Sequence, residues 1–565
     1  MNMHRRNFLK TTSLGSLALI PVVEFLLESF NTPNNDKNCV LGSLKIEPRR
    51  LVDAHIHLFN ARYLPLEAII KPIFLVGLIA GPLANYLYAL TDDFGSDEAN
   101  FITNKNLLKN MESHEIIDWF LYRTRQKLEL IARDNKSSDL SQAFQESLLF
   151  NSILELEKIK DKESTANKSK FNSDNFRKAF LENYMKSHAI NADNNQKKEF
   201  EKTYQNTIIW ALEKLCQPKI NKELQQYLDC DDIPVINFLA TMLDDEVKIY
   251  QKATSGYGKA NLVLQVHYMM DMCASYEKGY TFYPFNPVQT NNMMKLVSQS
   301  DGKLLGFTAF NPLNENAMTS FQEGIAAGNI GVKFYPPMGY KPINNLDPVV
   351  EERVNNFFSY CQSEKIPIFT HCTPQGFQAK KGYGLNCDPK NWRNVLRKYP
   401  NLRICFGHAG GGDPKIRNHN FHGWYSNPRQ WLSEDCYARI VVELCQEYEF
   451  AYCEVGHLRK IISNKHHERD RFFQNLIDNF NNGKFPLKNK ICFGTDWDMI
   501  GMINEQNKYY ELLVDMFQDS HLRGNIEGFF SQNFINFLSI NNFLEKTASD
   551  YLSPAGRQYL MSLIE

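Results

Sequence analysis

The sequence lacks a surplus of charge of either sign. Its 565 residues include 63 lysines and arginines and 64 aspartates and glutamates, which gives a formal net charge of −1. A nucleic-acid-binding protein usually shows a basic patch or an excess of basic residues. The near-equal numbers of basic and acidic residues therefore disfavour a nucleic-acid partner. With 43% hydrophobic and 22% charged residues, the composition is that of an ordinary globular protein.

The sequence also lacks paired cysteines. Its 12 cysteines are scattered singly, many of them within apolar stretches such as RICFGH, AYCEVG and KICFGT, and no two of them form a CxxC pair. A zinc finger or a disulfide framework would show regular cysteine spacings. We interpret most of these cysteines as small buried residues, which leaves the redox compartment open.

Long uninterrupted hydrophobic runs are scarce. The segment 72–90, PIFLVGLIAGPLANYLYAL, is uncharged and close to the length that spans a membrane. Pro82 and the neighbouring glycines weaken this segment as a single helix. We predict a buried hairpin or a lid element, and we do not favour the alternatives of peripheral membrane contact or of a wall in an apolar substrate pocket.

The N-terminal residues resemble an export signal. Arg5 and Arg6 are followed by NFLK and a moderately apolar run, as in twin-arginine signals. His4 stands where serine or threonine is usual, Glu24 interrupts the apolar run, and no clear cleavage site follows. We predict a signal and linker over residues 1–38 and a location in the periplasm or at the outer face of the membrane. The alternative is an N-terminal helix with chance arginines.

Short apolar, β-branched runs alternate with helical patterns from about residue 258 onward, and their spacing is long enough for a strand, a loop and a helix. The runs are NLVLQVHY (261–268), KLLGFTAFNP (303–312), NIGVKFYPP (329–337), IPIFTHC (366–372), NLRICFGHAG (401–410), FAYCEVG (450–456) and KICFGTDWD (490–498). With RRLVDAHIHLF they make eight strands. Alternating strands and helices form a parallel sheet, so the pattern predicts an α/β fold, a (β/α)8 TIM barrel.

The first two predicted strands are separated by far more residues than one crossover needs. Residues 63–257 contain several helical patterns joined by polar linkers such as KESTANKSKFNSDN. We predict a mostly helical insertion that forms a lid or shapes the substrate pocket; an oligomerisation or purely structural module is the alternative. The first barrel strand then occupies 48–62, the rest of the barrel 258–545, and a helical tail 546–565.

Side chains that bind metals recur at the ends of the predicted strands. LVDAHIHLFN has polar residues at alternate positions, so Asp53, His55 and His57 share one face of a strand. Neutral imidazoles and carboxylates bind zinc and similar ions, and a catalytic metal keeps an open position for water. The set predicts a metal site at one rim of the barrel. The later strands carry His267, Lys333, His371, His408, Glu454 and Asp496.

The motifs VDAHIHLF, GVKFYPP, IPIFTHC, ICFGHAGGG and ICFGTDWD, in this order, resemble the amidohydrolase superfamily. They are most similar to the branch that contains aminocarboxymuconate semialdehyde decarboxylase. The resemblance covers residues 50–60 and about 258 to 540. FSQNFINFL resembles the closing helix of that branch, with Phe534 in place of a small residue. The insertion and the N-terminal segment lie outside the resemblance.

The resemblance implies one divalent metal with four ligands, namely His55, His57, His371 and Asp496. Zinc is the first choice, manganese and iron are the alternatives, and a second metal is less favoured. The resemblance also implies that His408 lies beside the metal, where it polarises the substrate or moves protons. Asp496 could in addition accept the proton of the attacking water.

Other residues are candidates for supporting roles. Asp53 is expected to orient the strand or a ligand without binding the metal. Lys333 is expected to contact a substrate carboxylate or to form a buried ion pair, with Glu454 as the candidate partner. His267 is a further candidate because its strand ends near it. These residues are predicted to surround the ligands and not to belong to them.

The segment after the sixth predicted strand contains two weaker patterns. GHAGGGDP, 407–414, lacks the spacing of a phosphate-binding loop, so its glycines predict a tight turn beside the site. The loop RNHNFHGWYSNPRQW, 417–431, supplies candidate substrate contacts. The equally weighted alternative is that it is a surface loop without a role in binding. These candidates are His419, His422, Trp424 and Arg429.

The sequence thus predicts a metal-dependent hydrolase of a C–N or C–O bond, as in an amide, lactone or ester, of a small molecule. The alternative is a metal-dependent non-oxidative decarboxylase of a small carboxylic acid on the same scaffold, because no residue separates the two reactions. A binding protein without activity is disfavoured because all expected ligands are present. The resemblance does not supply the substrate, and the assembly of identical copies stays open.

Overall fold

A computed structural model describes most of the chain downstream of residue 44. The described residues are 45–71, 77–95, 113–134, 148–164, 194–218, 236, 239–240, 242–277, 279–413, 415–416, 419–463, 466–497, 505–547 and 551–565. The predicted export signal and linker, residues 1–38, lie outside them. The described residues from Ile46 onward belong to one structural unit.

Eight parallel strands form the central sheet in the order β1-β2-β3-β4-β5-β6-β9-β10. Their bounds are β1 Leu51–Ile56, β2 Leu262–Tyr268, β3 Leu304–Phe310, β4 Gly331–Phe334, β5 Ile368–His371, β6 Ile404–Gly407, β9 Ala451–Glu454 and β10 Ile491–Cys492. Nearly every residue in these strands is buried, as expected for a parallel sheet that is covered on both faces. A short antiparallel pair, β7 Lys415–Ile416 and β8 His419–Asn420, lies between β6 and β9 in the chain.

The sheet closes on itself between its first and last strands. The Asp496 N–H donates to the His55 carbonyl at 2.8 Å, and the Ala54 N–H donates to the Phe493 carbonyl at 3.3 Å. Ile56 and Trp497 form a further parallel bridge. The prediction of a (β/α)8 barrel is confirmed, because eight parallel strands follow in chain order and the first is bonded to the last.

Helices connect the strands and occupy much of the described part of the insertion. Before β2 they are α1 Leu66–Ile70, α2 Ala80–Leu90, α3 Ser113–Asp134, α4 Leu148–Ser164, α5 Asn194–Cys216 and α6 Glu246–Ser255. After β2 they are α7 Thr290–Gln299, α8 Ala317–Ala326, α9 Pro348–Glu364, α10 Lys390–Lys398, α11 Pro428–Trp431, α12 Tyr437–Glu447, α13 His466–Phe480, α14 Gln506–Met516, α15 Asn533–Leu538, α16 Ile540–Lys546 and α17 Pro554–Ile564.

Local sequence signals set the helix boundaries. Asp347 caps α9 by accepting the Val349 N–H at 2.8 Å, and Pro348 occupies the first helical position. Helix α6 begins directly after Asp245. The Asp245 side chain accepts the N–H groups of Val247 and Lys248, and this cap starts the helix there.

The described part of the uncharged segment 72–90 contains helix α2. Residues 72–76 lie outside the described residues, so the buried hairpin or lid element stays a prediction. Pro82 lies in the first turn of α2, where a backbone N–H has no acceptor within the helix, so that proline costs no hydrogen bond there. Leu83 and Leu87 of this helix are fully buried. Among the described residues, no helix has both the length and the apolar character needed to cross a membrane.

A buried ion-pair network joins parts of the insertion to each other. Asp92 follows α2 and is 1% exposed. Its carboxylate lies 2.5 Å from the Arg123 guanidinium of α3 and 3.2 Å from the Lys248 ammonium of α6. Burial acts to raise the pKa of Asp92, but these cations outweigh it and hold that pKa below its ordinary value of 3.8. The network therefore fixes three separate segments of the insertion around one carboxylate.

Removing this carboxylate should destabilise the protein. Asp92→Ala leaves the buried Arg123 without its carboxylate partner, whereas Lys248 keeps Asp245 at 3.1 Å. We expect a loss of about 3–5 kcal/mol in the free energy of unfolding, measured by urea denaturation at pH 7. Because the pKa of Asp92 is depressed in the folded state, its contribution is present above pH 3.8 and shrinks as the pH falls further. The exposed Asp118 of α3 provides the control Asp118→Ala. Equal stabilities of the two variants would contradict the network's role.

Candidate metal centre

The predicted ligands meet at the carboxyl ends of the barrel strands. The register pairs His371 of β5 with Gly407 of β6, so that His408 follows beside His371. Asp496 lies four residues beyond β10 and donates its N–H to the carbonyl of His55 in β1. One cavity is lined by these side chains together with His57 and Lys333. Barrel closure thus brings residues from both ends of the chain to one place.

The tightest group consists of His55, His57 and Asp496. The Nε2 atoms of His55 and His57 lie 3.2 and 3.3 Å from Oδ1 of Asp496. One ligand atom of each residue lies within 4.8 Å of the other two, and all three residues are buried. This spacing suits two nitrogens and one oxygen around a single small cation.

Hydrogen bonds fix which nitrogen of each imidazole carries the proton. Nδ1 of His57 lies 3.2 Å from the Tyr268 carbonyl, which can only accept, so Nδ1 must donate. Nδ1 of His55 lies 3.2 Å from Oε2 of Glu454 and donates in the same way. Both Nε2 atoms therefore present a lone pair towards Asp496, which is the tautomer that a metal ligand needs.

Burial keeps the two imidazoles of this group uncharged. Desolvation lowers the pKa of His57 from 6.5 to about 3 and that of His55 well below 6.5. Desolvation also raises the pKa of Asp496 from 3.8 to about 6, although His408 and Lys333 oppose it. The two imidazoles are thus neutral at pH 7, the form in which histidine binds a metal.

His371 and His408 form a second pair in the same cavity. Nε2 of His371 lies 2.8 Å from the Gln375 carbonyl, and Nδ1 of His408 lies 3.1 Å from the Gly456 carbonyl, so both of these nitrogens donate. In the neutral rings the remaining nitrogens, Nδ1 of His371 and Nε2 of His408, have no proton between them, yet they are 3.0 Å apart. Burial lowers the pKa of both rings, so a nearby metal cation fits this pair better than a shared proton does.

The backbone at three positions of the site is left-handed. His408, His457 and Asp496 have φ values of 62°, 61° and 62°. Non-glycine residues rarely adopt this conformation, which costs about 1–3 kcal/mol each and is concentrated at functional sites. The surrounding hydrogen bonds hold these residues so that their side chains line the cavity.

Asp53 supports the ligands and does not line the cavity. Its Oδ1 accepts the N–H groups of His55 at 3.2 Å and Thr495 at 2.9 Å, and its Oδ2 accepts the Thr495 hydroxyl at 2.8 Å. Tyr257 donates a further hydrogen bond to it. Burial raises the pKa of Asp53 to about 6, while these hydrogen bonds oppose the rise. Asp53 thereby aligns His55 with the residue that precedes Asp496.

The Glu454 carboxylate fits into its buried position because residues 456 and 494 beside it are glycines. A Cβ atom added at Gly456 or at Gly494 would lie 2.2 Å from its Oε1. Its Oε2 accepts the backbone N–H of His408 at 3.2 Å and contacts Nδ1 of His55. Glu454 is fully buried, and burial raises its pKa well above 4.5. One carboxylate therefore positions two histidines of the site.

Lys333 contacts rings and a histidine instead of the predicted partner Glu454. Its Nζ lies 3.3 Å from Nε2 of His55 and 4.4 and 4.8 Å from the ring centroids of Phe369 and Tyr268. Burial lowers the pKa of Lys333 to about 8, although Asp496 and Glu454 oppose the decrease. The ammonium group lies beside the candidate ligands, and no carboxylate among the described residues forms an ion pair with it.

Of the other candidate contacts, His267, His422, Trp424 and Arg429 are not among the described residues that line the cavity. His267 is buried, and its Nδ1 accepts the Leu58 N–H at 2.8 Å, so it stabilises the chain after β1. Trp424 is fully buried and donates its indole N–H to the Ala409 carbonyl at 2.9 Å, which supports the turn after His408. Arg429 is exposed in α11. His419 lies in β8 and the half-buried His422 follows it.

Sequence reasoning missed His457. This side chain lines the cavity, and its Nδ1 lies 3.5 Å from Oδ2 of Asp496. The signal that could have indicated it is the motif CEVGH, in which a histidine follows the polar end of β9 by three residues. Tyr335, Thr373 and Gln375 also line the cavity and were not predicted.

Comparison with known proteins supports a similarity over part of the chain. Residues 274–502 match the family model described as Amidohydrolase. The matched segment begins after β2, so it contains Lys333, His371, His408, Glu454 and Asp496 but not the histidines of β1. No curated protein matches the chain.

Two solved structures are similar to the chain at low identity. An uncharacterised TIM-barrel protein from Bordetella bronchiseptica is 13% identical, with a TM-score of 0.36, covering 53% of this chain and 84% of that one. A putative 2-pyrone-4,6-dicarboxylic acid hydrolase from Pseudomonas putida is 10% identical, with a TM-score of 0.32, covering 51% and 86%.

Truncating Glu454 should weaken metal binding. Glu454→Ala removes Oε2, the one oxygen that accepts both from Nδ1 of His55 and from the His408 N–H. Losses of this kind cost about tenfold to a hundredfold in metal affinity. Glu454→Gln keeps one carbonyl-type oxygen and should bind more tightly than the alanine variant. Zinc affinity is measured by competition with a coloured chelator, after circular dichroism has shown that both variants are folded. An unchanged affinity of the alanine variant would rule out this positioning role.

Proposed function

We propose that the protein is a metal-dependent hydrolase that cleaves a C–N or C–O bond, as in an amide, lactone or ester, of a small molecule. The observation that carries this proposal is that the Nε2 atoms of two imidazoles lie 3.2 and 3.3 Å from one carboxylate oxygen, in a cavity at the carboxyl ends of a TIM barrel. The match of residues 274–502 to the amidohydrolase family supports it.

The donor set fits one divalent cation, with zinc as our first choice. His55, His57 and Asp496 would hold it. We propose His371 as the fourth ligand through its Nδ1, which lies in the same cavity, 3.0 Å from Nε2 of His408. Nitrogen and carboxylate donors of this kind are those that zinc prefers, and manganese and iron accept them as well. A bound cation supplies Lewis acidity and lowers the pKa of a water molecule towards neutrality.

The residues of the chain then divide the proton transfers between them. Oδ1 of Asp496 faces the two histidines, whereas Oδ2 faces His457, so the carboxylate can take a proton from the attacking water. His408 donates through Nδ1 to the Gly456 carbonyl, which leaves Nε2 as a proton acceptor. We propose that Asp496 and His408 pass this proton to the leaving group.

Decarboxylation of a small carboxylic acid is the alternative reaction, and Lys333 is the observation that favours it. Among the described residues that line the cavity, Lys333 is the only lysine or arginine. Its ammonium group could hold a substrate carboxylate next to the metal ligands. A substrate screen that measures both the release of an amine or alcohol and the release of carbon dioxide separates the two reactions.

Metal content and activity should fall together when a ligand is removed. We expect about one metal per chain in the purified protein, and loss of that metal in His57→Ala and Asp496→Ala, by elemental analysis. Activity should fall by more than about a hundredfold, because a ligand contributes more than the residues that support it. The control is His467→Ala, since His467 is exposed at the start of α13. A protein that holds no metal and gains nothing from added zinc, manganese or iron would exclude the proposal.

We also propose that the protein is exported in folded form by the twin-arginine route. The support is the sequence pattern alone, Arg5 and Arg6 followed by NFLK. Replacing both arginines by lysine should keep the protein in the cytoplasm, because that route reads the arginine pair. Cell fractionation with immunoblotting measures this. An equal periplasmic yield of the wild type and the double variant would refute export by this route.

A further inference from the structure

We infer that the substrate carries an uncharged apolar chain and that this chain lies against a wall supplied by the helical insertion. This inference deepens the proposed hydrolase function and rests on it. We define the apolar wall as Leu66, Ile69, Ile70, Leu215, Leu239 and Met242, all of which line the same cavity as the candidate metal ligands.

The apolar wall comes from three separate parts of the insertion. Leu66, Ile69 and Ile70 belong to α1, and Leu215 lies in the last turn of α5. Leu239 and Met242 precede α6. None of the six side chains is more than 6% exposed, so they are packed in place. A wall assembled from distant segments and directed at the ligands is typical of a pocket for a substrate group.

The barrel extends the apolar character of the cavity. Met270 and Met272 follow β2 and line the cavity as well. Methionine side chains are unbranched and adapt to irregular shapes, so they can follow a flexible chain better than a rigid ring system. This favours an aliphatic substituent.

The cavity offers few partners for a second charge on the substrate. Among the described residues that line the cavity, the only side chains that can carry a charge near pH 7 are those of Asp496, Lys333 and the histidines. All of these lie in or beside the candidate metal centre. A carboxylate at the far end of a substrate would therefore be buried against leucine, isoleucine and methionine without a counter-charge, which is strongly unfavourable.

The apolar wall predicts a specific dependence of affinity on chain length. Burying one methylene group contributes enough to improve binding by about fourfold, until the chain fills the space. A chain of the same length that ends in a carboxylate should not show this improvement in affinity. Chain length and terminal charge are therefore the two variables that the experiment must separate.

Alkyl hydroxamates provide probes that need no knowledge of the reaction, because the hydroxamate group chelates a metal and the alkyl chain reports on the wall. We would measure the Kd of acetohydroxamate, butyrohydroxamate, hexanohydroxamate and octanohydroxamate for the zinc-loaded protein by isothermal titration calorimetry. We expect tightening of about fourfold per methylene before a plateau. Probes with a terminal carboxylate should bind at least about tenfold more weakly than methyl-ended probes of equal length.

A matched pair of substitutions tests whether the insertion supplies the effect. Ile70→Thr places a hydroxyl in the apolar wall, whereas Ile70→Val keeps the position apolar with a similar shape. We expect the threonine variant to lose about fivefold or more in affinity for octanohydroxamate while its affinity for acetohydroxamate is unchanged. The valine variant should keep the chain-length dependence. Leu432→Thr, at a 75% exposed position, is the surface control.

The outcomes separate this inference from the function on which it rests. Tight binding of acetohydroxamate with a Kd that is independent of chain length would overturn the apolar substrate and leave the metal centre intact. Absence of binding by every hydroxamate would overturn the proposed metal centre and the inference with it. If Ile70→Thr does not fold, the series of methyl-ended and carboxylate-ended probes on the wild type still decides.

Discussion

One buried carboxylate, that of Asp53, joins the first strand of the barrel to the last. Its two oxygens bind the backbone of His55 and both the backbone and the hydroxyl of Thr495. His55 is itself a candidate ligand, and Asp496 directly follows Thr495. A single hydrogen-bonding centre therefore fixes the distance between groups that are more than 400 residues apart in the chain, and the geometry of the site depends on it.

Burial gives the site its chemical character. Because the imidazoles are desolvated, they stay neutral, and because each ring donates to a carbonyl or a carboxylate, it presents a defined lone pair. The same burial would make Glu454 clash with any larger neighbour, and two glycines remove that conflict. Packing and protonation thus act together, since the side chains that exclude water also decide where each proton resides.

The sequence alone was sufficient for the barrel, because eight apolar runs, seven of them spaced for a strand, a loop and a helix, leave few alternatives to a closed parallel sheet. It also identified the residues at the strand ends, because strand alternation places His55 and His57 on one face. It could not place Lys333 against aromatic rings, show that Trp424 supports a turn, or identify His457. These depend on side-chain directions in loops, which periodicity does not encode.

The insertion enters the chain just after His57, between two strands that are neighbours in the barrel. The apolar side of the cavity is therefore encoded apart from the histidines and the aspartate of the candidate centre. Such a separation lets selection remodel one stretch of the gene while the other stays constant. Related chains with the same strand-end residues could thus diverge in what they accept through changes confined to one exchangeable module.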